Sequence, residues 1–503
     1  MKNILIILLL FLTKNTFAQK EDYTIFSGYD SEFHIDYPRF GNTKTNFNTM
    51  PVTIQYEYHA NLDVVFAFSS VSTSDGKLLF YTEGSKVLDS THHTMLNGNG
   101  INIGSPLIDG GGGYWYNNGV LIIPRPNTTQ YYLFQSFVGE IPYPNLWRYT
   151  ILKYSTIDMA LNNGKGAVID KNRIVDTTWL NTCLLSATRH ANGRDWWLVT
   201  QNDERNTFYT YLISPQGITK MPSQTTDLPH IPDWGGSNCQ SNFSADGSKF
   251  VYGDLVDGAT LFDFDRCTGI FGNKRVIPID SMAGYAGIAF SPNSRFLYIV
   301  RYTYILQVDT EAADILTSVD TVARYDGFYY GTAPYLIYTP FHLPYSTPDG
   351  RIFVNSGGGS NRYLHTIENP NAQGSACNVQ QHSIFLPANN DGTTPNFPTY
   401  RLGALAGSGC DTLAMVATGN ETVLGKEGFT VYPNPAANFV LVKSNTITSE
   451  NLPVFITDSY GRVISTSVLQ KGTSQLPIST ETWATGVYYC KIESSLYKIV
   501  VIK

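Results

Sequence analysis

Charge is scarce in this 503-residue chain: Asp, Glu, Lys and Arg make up only 15% of it, with 34 basic residues against 41 acidic ones. A net charge of −7 without a basic patch lacks the electrostatic footprint of a nucleic-acid binder, and equally that of a protein docking on an anionic membrane. Long apolar runs are missing too. The clearest, Ile4–Leu12, falls well short of the roughly 20 residues a membrane helix needs, so no transmembrane segment is predicted. No long stretch repeats its apolar residues at helical spacing, which argues against a helical bundle. The six cysteines (Cys183, Cys239, Cys267, Cys377, Cys410 and Cys490) are too dispersed for a dense disulfide scaffold or a CxxC metal site. HExxH, GxSxG and P-loop signatures do not occur, and Gly110–Gly113 lacks the Lys-Ser/Thr that would complete a phosphate loop.

What is present points to strands. Aromatics reach 13%, with 33 Tyr and 27 Phe, while 43 Gly and 25 Pro supply turn residues. The length predicts two or more domains. Residues 1–18 read as an export signal: Lys2 is the positive flank, the apolar run follows, and Thr16-Phe17-Ala18 offers small residues for cleavage after Ala18.

One pattern then repeats. Ser70–Thr82, Ile122–Phe134, Thr188–Thr200, Asn242–Tyr252, Ala289–Val300 and Tyr345–Asn355 each carry a small or polar strand end, a tight Asx-Gly or Pro-Asn turn, and a strongly apolar strand. Asn and Gly accept the positive φ such turns require, which makes this a strong hairpin signal. The turn positions Asp75, Asn127, Asn192, Asp246, Asn293 and Asp349 recur every 47 to 65 residues. A hairpin at that period predicts an all-β fold, a β-propeller of four-stranded blades over residues 19–417. Six blades are directly supported; seven are preferred, with the N-terminal segment closing the ring.

Residues 418–426 (TGNETVLGK) read as a linker, and residues 427–503 as a small Ig-like β-sandwich of seven short strands. Cys239 and Cys267 would lie two strands apart in one blade, about 10 Å, beyond the reach of a bridge. Cys377 with Cys410 is the favoured pair, both falling in loops around the last blade; unpaired buried thiols are the alternative. Cys490 shares a strand face with Tyr488 and Ile492, which predicts core burial.

The last ~75 residues resemble the type A C-terminal sorting domain of the bacterial type IX secretion system. The matching motifs are Tyr432-Pro433-Asn434-Pro435, Asp458-Ser459-Tyr460-Gly461-Arg462, and Gly486-Val487-Tyr488-Tyr489, followed by the basic, β-branched end Lys498–Lys503. The resemblance implies the secretion machinery and its sortase as partners, outer-membrane translocation, and a mature protein that is secreted or held on the cell surface. Residues ~20–415 are similar to a family of uncharacterised propellers from gliding or surface-colonising Gram-negative bacteria. That likeness rests on DGKLLFYT (75–82), HANGRDWW (190–197), FDFDRCTG (262–269), PNFPTYRLG (395–403) and CDTL (410–413). It implies a fold rather than an activity.

Three constellations carry candidate chemistry. His190, Arg194 and Asp195 could supply a base, an anion clamp and an orienting carboxylate, although a turn repeated along the chain is first a fold signal. Asp263 and Asp265, followed by Arg266, place two acids on one strand face; calcium takes such ligands, but the EF-hand spacing is absent, and no cofactor or metal is predicted. Loops leading into the innermost strands carry glycines beside Trp115, Tyr116, Asp233, Trp234, Tyr285, Tyr329 and Tyr330, a mix suited to a glycan or protein ligand. The alternative is that these aromatics pack between blades. The leading reading is a non-enzymatic binding module working from the face opposite the Asx-Gly turns. An exported lactonase- or glycan-active hydrolase with its site in the channel is the rival, and a structural envelope component the third.

Overall fold

The computed structural model describes residues 19–29, 40–57, 59, 62–106, 116–140, 148–181, 184–226, 240–254, 258–279, 287–358, 361–410, 429–458, 463–492 and 495–503. The signal segment, the linker, Cys183, Cys239, Trp115, Asp233, Trp234, Tyr285, Gly461 and Arg462 lie outside them. The chain divides into two compact units, Met1–Ala414 and Met415–Lys503.

Six antiparallel four-stranded blades follow one another through the first unit, each in meander order, a to d; the last strands of blades one and two are joined by a parallel bridge between Leu96 and Ala167, and blade three carries a fifth strand, Gln224–Thr225, on its third. Their first strands are Ala67–Ser72, Val120–Pro124, Ser186–Arg189, Gln240–Phe243, Gly287–Phe290 and Phe341–Ser346. Each of the six Asx positions falls between strands a and b of its blade, as the hairpin pattern predicts. Positive φ is taken up at Gly76, Asn127, Gly193, Gly247, Ser294 and Gly350. In blades four to six a hydroxyl at the start of the turn donates to the Asx side chain: Ser244 to Asp246 (2.6 Å), Ser291 to Asn293 (2.6 Å) and Thr347 to Asp349 (2.5 Å). A seventh, three-stranded sheet (Thr24–Ser27, Asn42–Asn46, Thr53–Glu57) packs between the last strand of blade six (Val379–Asn390) and the first strand of blade one. The architecture is a β-propeller, closed by its N-terminal segment.

Apolar side chains fill the wedges between blades, where burial removes them from water on both faces of each sheet. Trp196 and Trp197, adjacent on one strand, project to opposite sides: Trp196 joins the core shared with blade two, Trp197 the core shared with blade four. Between blades three and four, Phe208 stacks on Phe271 (4.3 Å between centroids) and meets Phe250 and Phe262 edge-on.

The innermost strands pose a different problem, because their backbone groups face the channel and must still be hydrogen-bonded. Buried amides serve them. Gln240 donates to the Pro344 carbonyl (2.9 Å) and accepts from the Ile288 N–H (3.0 Å), tying blade four to blades five and six. Asn355 donates to the carbonyls of Leu343 and Thr393, both at 3.0 Å. The main tie is Asn396, on a segment that returns after blade six and runs parallel to the first strand at Ala67–Phe68. Its N–H donates to the Phe68 carbonyl (2.8 Å), and its carbonyl accepts from Ser69 Oγ (2.9 Å). Its side-chain amide donates to the carbonyls of Val120 (3.0 Å) and Leu185 (2.9 Å), reaching blades two and three.

In the second unit, sheets Phe429–Tyr432/Phe439–Ser444/Gln475–Ser479 and Val463–Leu469/Leu452–Asp458/Gly486–Ile492/Ser495–Val501 form a β-sandwich. Its core includes Val440, Val442, Ile456, Ile492 and Ile499, all fully buried. Cys490 is buried there beside Tyr488 and Ile492, and burial pushes its thiol up to about 12. Asn434 of the YPNP motif accepts from the Val500 N–H (2.8 Å), and Ala436 pairs with the last strand at Val501.

Asn396→Ala leaves the Val120 carbonyl without its amide donor and Leu185 with only the long 3.5 Å bond from Asn118, at an expected cost of about 3 kcal/mol. Urea unfolding of the propeller unit measures it; an unchanged midpoint would count against this role.

Candidate functional site

His190 accepts the Asn192 N–H on Nδ1 (2.9 Å), and its ring also donates to the backbone at Cys267. Burial holds it below the ordinary histidine value, with Asp195 pulling the other way. Asp195 takes Nε and Nη2 of Arg194 (2.7 and 2.8 Å) and the Asn192 amide (2.8 Å); Asn192 in turn accepts the N–H groups of Arg194 and Asp195, each at 2.9 Å. The three groups are brought together, but each is committed to the turn itself.

That turn is a platform. Residues 399–410 cross it as they leave the propeller: Asn192 pairs with Ala404, and the Leu405 N–H donates to the Ala191 carbonyl (2.8 Å). Arg266, from the turn after strand c of blade four, donates to the carbonyls of Arg189 (2.9 Å) and Gly403 (2.6 Å), while its own carbonyl accepts from the Trp197 indole (2.7 Å). A β-carbon on Gly193, whose φ is +73°, would sit 2.5 Å from the Ala404 nitrogen, so only glycine fits under the crossing segment. Next to Arg266, Cys267 is joined to Cys410 by a disulfide, with 5.6 Å between α-carbons. This corrects the expected Cys377–Cys410 pair. Cys377 is a buried free thiol at the end of the turn Gly374–Cys377, packed among Tyr298 and Val300. The partner of Cys410 is set by where the exit segment crosses blade four, not by its neighbourhood in sequence.

Asp263 and Asp265 do not converge on a cation. Asp263 pairs with Arg275, while Asp265 caps its turn by accepting from the Cys267 N–H (2.8 Å) and Thr268 Oγ1 (2.7 Å).

The returning segment fills the channel on the side of blades one to three. On the side of blades four to six it leaves a cavity of about 400 Å³ at the a–b turn end. Phe243, Phe290, Tyr345, Phe397 and Tyr400 give it aromatic walls, with Asn118, Gln240 and Asn242 supplying amides. At its edge Asp22 accepts from Arg401 through both oxygens (2.9 Å for one of the two bonds, 2.5 Å for the other). Burial holds the Asp22 carboxyl above its ordinary value even with Arg401 against it. Asn118 Nδ2 donates to Asn396 and to the Ser241 carbonyl, each at 3.2 Å, but its Oδ1 is buried with no donor among the described residues. An acceptor in that state calls for a hydroxyl or N–H from a bound molecule or water.

The opposite face, where strand d leads into the next strand a, is described less fully. Tyr116 is buried in the core of the first three blades rather than offered to a ligand. Tyr329 and Tyr330 begin a two-stranded hairpin, Tyr329–Thr332 with Tyr335–Tyr338, between blades five and six. Tyr329, Tyr335 and Tyr338 are exposed, and Tyr330 accepts from the Arg362 N–H (2.9 Å). In the sequence Phe397 and Tyr400 stand out only as part of the PNFPTYRLG motif, and Asn118 not at all. Nothing local marks them as channel residues.

Residues 430–503 match the family model of the secretion system C-terminal sorting domain. The chain therefore carries a type IX sorting tail and is a secreted or cell-surface protein. No curated protein matches the sequence. Among solved structures, a periplasmic gluconolactonase of Pseudomonas aeruginosa is 12% identical, the match covering 91% of this chain and 98% of that one with a TM-score of 0.38. A functionally unknown protein of Desulfotomaculum acetoxidans is 14% identical over 56% of this chain and 84% of that one (TM-score 0.31). The Dos1 propeller is 8% identical over 75% and 91% (TM-score 0.36). At these scores no activity transfers; the fold rests on the strand order itself.

Non-reducing peptide mapping is expected to yield a peptide pair joining Cys267 to Cys410, whereas a Cys377–Cys410 peptide would overturn the assignment. Cys410→Ser should lower unfolding stability by about 3 kcal/mol, less than chain entropy alone gives for so long a loop, because the exit segment keeps its hydrogen bonds.

Proposed function

We propose that this β-propeller, delivered by its sorting tail, is a non-enzymatic module that binds a glycan or protein partner, and that the channel cavity at the a–b turn end receives the ligand. One observation carries the reading: the cavity combines aromatic walls with the unsatisfied acceptor Asn118 Oδ1. Sugar rings and aromatic peptide side chains present apolar faces with hydroxyl or N–H groups at their edges, which suits this lining. Its volume lies within the range typical of small-ligand pockets. Among the described residues the one carboxylate lining it, Asp22, is engaged by Arg401 on both oxygens, which favours a positioning role over proton transfer.

The exposed tyrosines of the 329–338 hairpin support a second surface, on the face predicted from sequence. The two are separable by mutation. On a glycan array and by calorimetry with any polysaccharide so found, Phe397→Ala should weaken binding at least tenfold, and Tyr335→Ser should leave it unchanged. The reverse result would move the site to the hairpin, and turnover of the bound glycan would sink the non-enzymatic reading.

Delivery is tested separately. Removal of residues 427–503 should trap the propeller in the periplasm of a type IX-competent host, and surface display of the truncated chain would refute the dependence on the tail.

A further inference from the structure

Where the N-terminal sheet closes the ring against blade one, three side chains converge that neither the cavity nor the sorting tail uses. Glu57 ends the outer strand Thr53–Glu57, His59 lies two residues beyond it, and His92 sits in the turn between Lys86–Asp89 and Thr94–Asn99. One ligand atom from each lies within 4.8 Å of the other two. We propose that Glu57, His59 and His92 form a zinc site that clasps the closing sheet to the first blade.

The geometry carries this. His59 Nε2 and His92 Nε2 both lie 3.4 Å from the same carboxylate oxygen, Glu57 Oε1. That is longer than a well-formed N–H···O bond, and His59 Nε2 is buried with no shorter partner among the described residues. Two ligands each about 2.1 Å from a tetrahedral zinc are themselves about 3.4 Å apart, so the spacing suits a shared ion better than direct contact. The imidazoles stack at 4.2 Å between centroids, with Phe26 edge-on to both, so one ring turns out of the stack when both Nε2 lone pairs meet the ion. Tyr81 Oη lies 3.2 Å from His92 Nδ1; accepting that nitrogen's proton leaves the Nε2 lone pair free for a metal, as outer partners of ligating histidines commonly do. Lys44, 3.3 Å from Glu57, bonds the other carboxylate oxygen and leaves Oε1 to the ion. Two nitrogens and one oxygen fit a late first-row divalent ion rather than calcium, with the fourth position open to water.

The test uses the full-length, tag-free chain, stripped with chelator and dialysed against a small excess of zinc. Elemental analysis should find one equivalent retained and thermal unfolding should rise by several degrees, while His92→Gln and Glu57→Gln each cut retention at least tenfold. Cobalt in the wild-type chain should give the intense visible bands of a four-coordinate site, a readout independent of whether the variants fold. No retained zinc in the wild type, undiminished retention in folded variants, or a faint six-coordinate cobalt spectrum would each overturn the proposal.

Discussion

The propeller depends on how the inner edges of its blades are hydrogen-bonded. Strands within a blade pair with one another, but first strands of neighbouring blades diverge around the axis and cannot share a ladder. Their carbonyls would be left without partners along the channel. Asn396 answers this for three blades at once, through its backbone to Phe68 and Ser69 and its amide to Val120 and Leu185. Gln240 and Asn355 do the same work on the far side of the ring. An amide is suited to this because it carries donors and an acceptor with no charge to desolvate.

The cavity follows from that arrangement. A segment committed to blades one to three cannot also fill the channel against blades four to six, and the space it leaves is walled by its own Phe397 and Tyr400. The ring's structural tie and its candidate binding site are therefore two sides of one stretch of chain. Asn118 stands on the boundary, with its donor spent on Asn396 and its acceptor left over.

What could be read in the sequence was local. The Asx-Gly and Pro-Asn turns specify hairpins within a few residues, and all six fall between the first two strands of a blade because positive φ is a backbone requirement that neighbours cannot waive. The seven strands of the C-terminal sandwich were legible for the same reason, from alternation. Contacts closed over long separations were not. Cys410 meets Cys267 across 143 residues, and Asn118 meets Asn396 across 278. The turn at HANGRDWW looked like a catalytic cluster because its histidine, arginine and aspartate are close in sequence; their partners are the turn and the segment that crosses it. Nothing local links Glu57, His59 and His92, since two adjoin one strand and the third lies in another sheet.

The disulfide also has a mechanical meaning. Residues 399–410 are the stretch of backbone by which the chain leaves the propeller, so any pull from the tail, from a secretion pore or from a tethered surface in flow, arrives at Cys410 first. Without a crosslink the load would run back along the exit segment and peel Asn396 out of the channel one hydrogen bond at a time. With Cys410 bonded to Cys267, tension passes directly into a strand-bounded turn of blade four and bypasses the segment that ties the ring. Drawn by its end, the propeller is loaded through a rivet rather than a zipper.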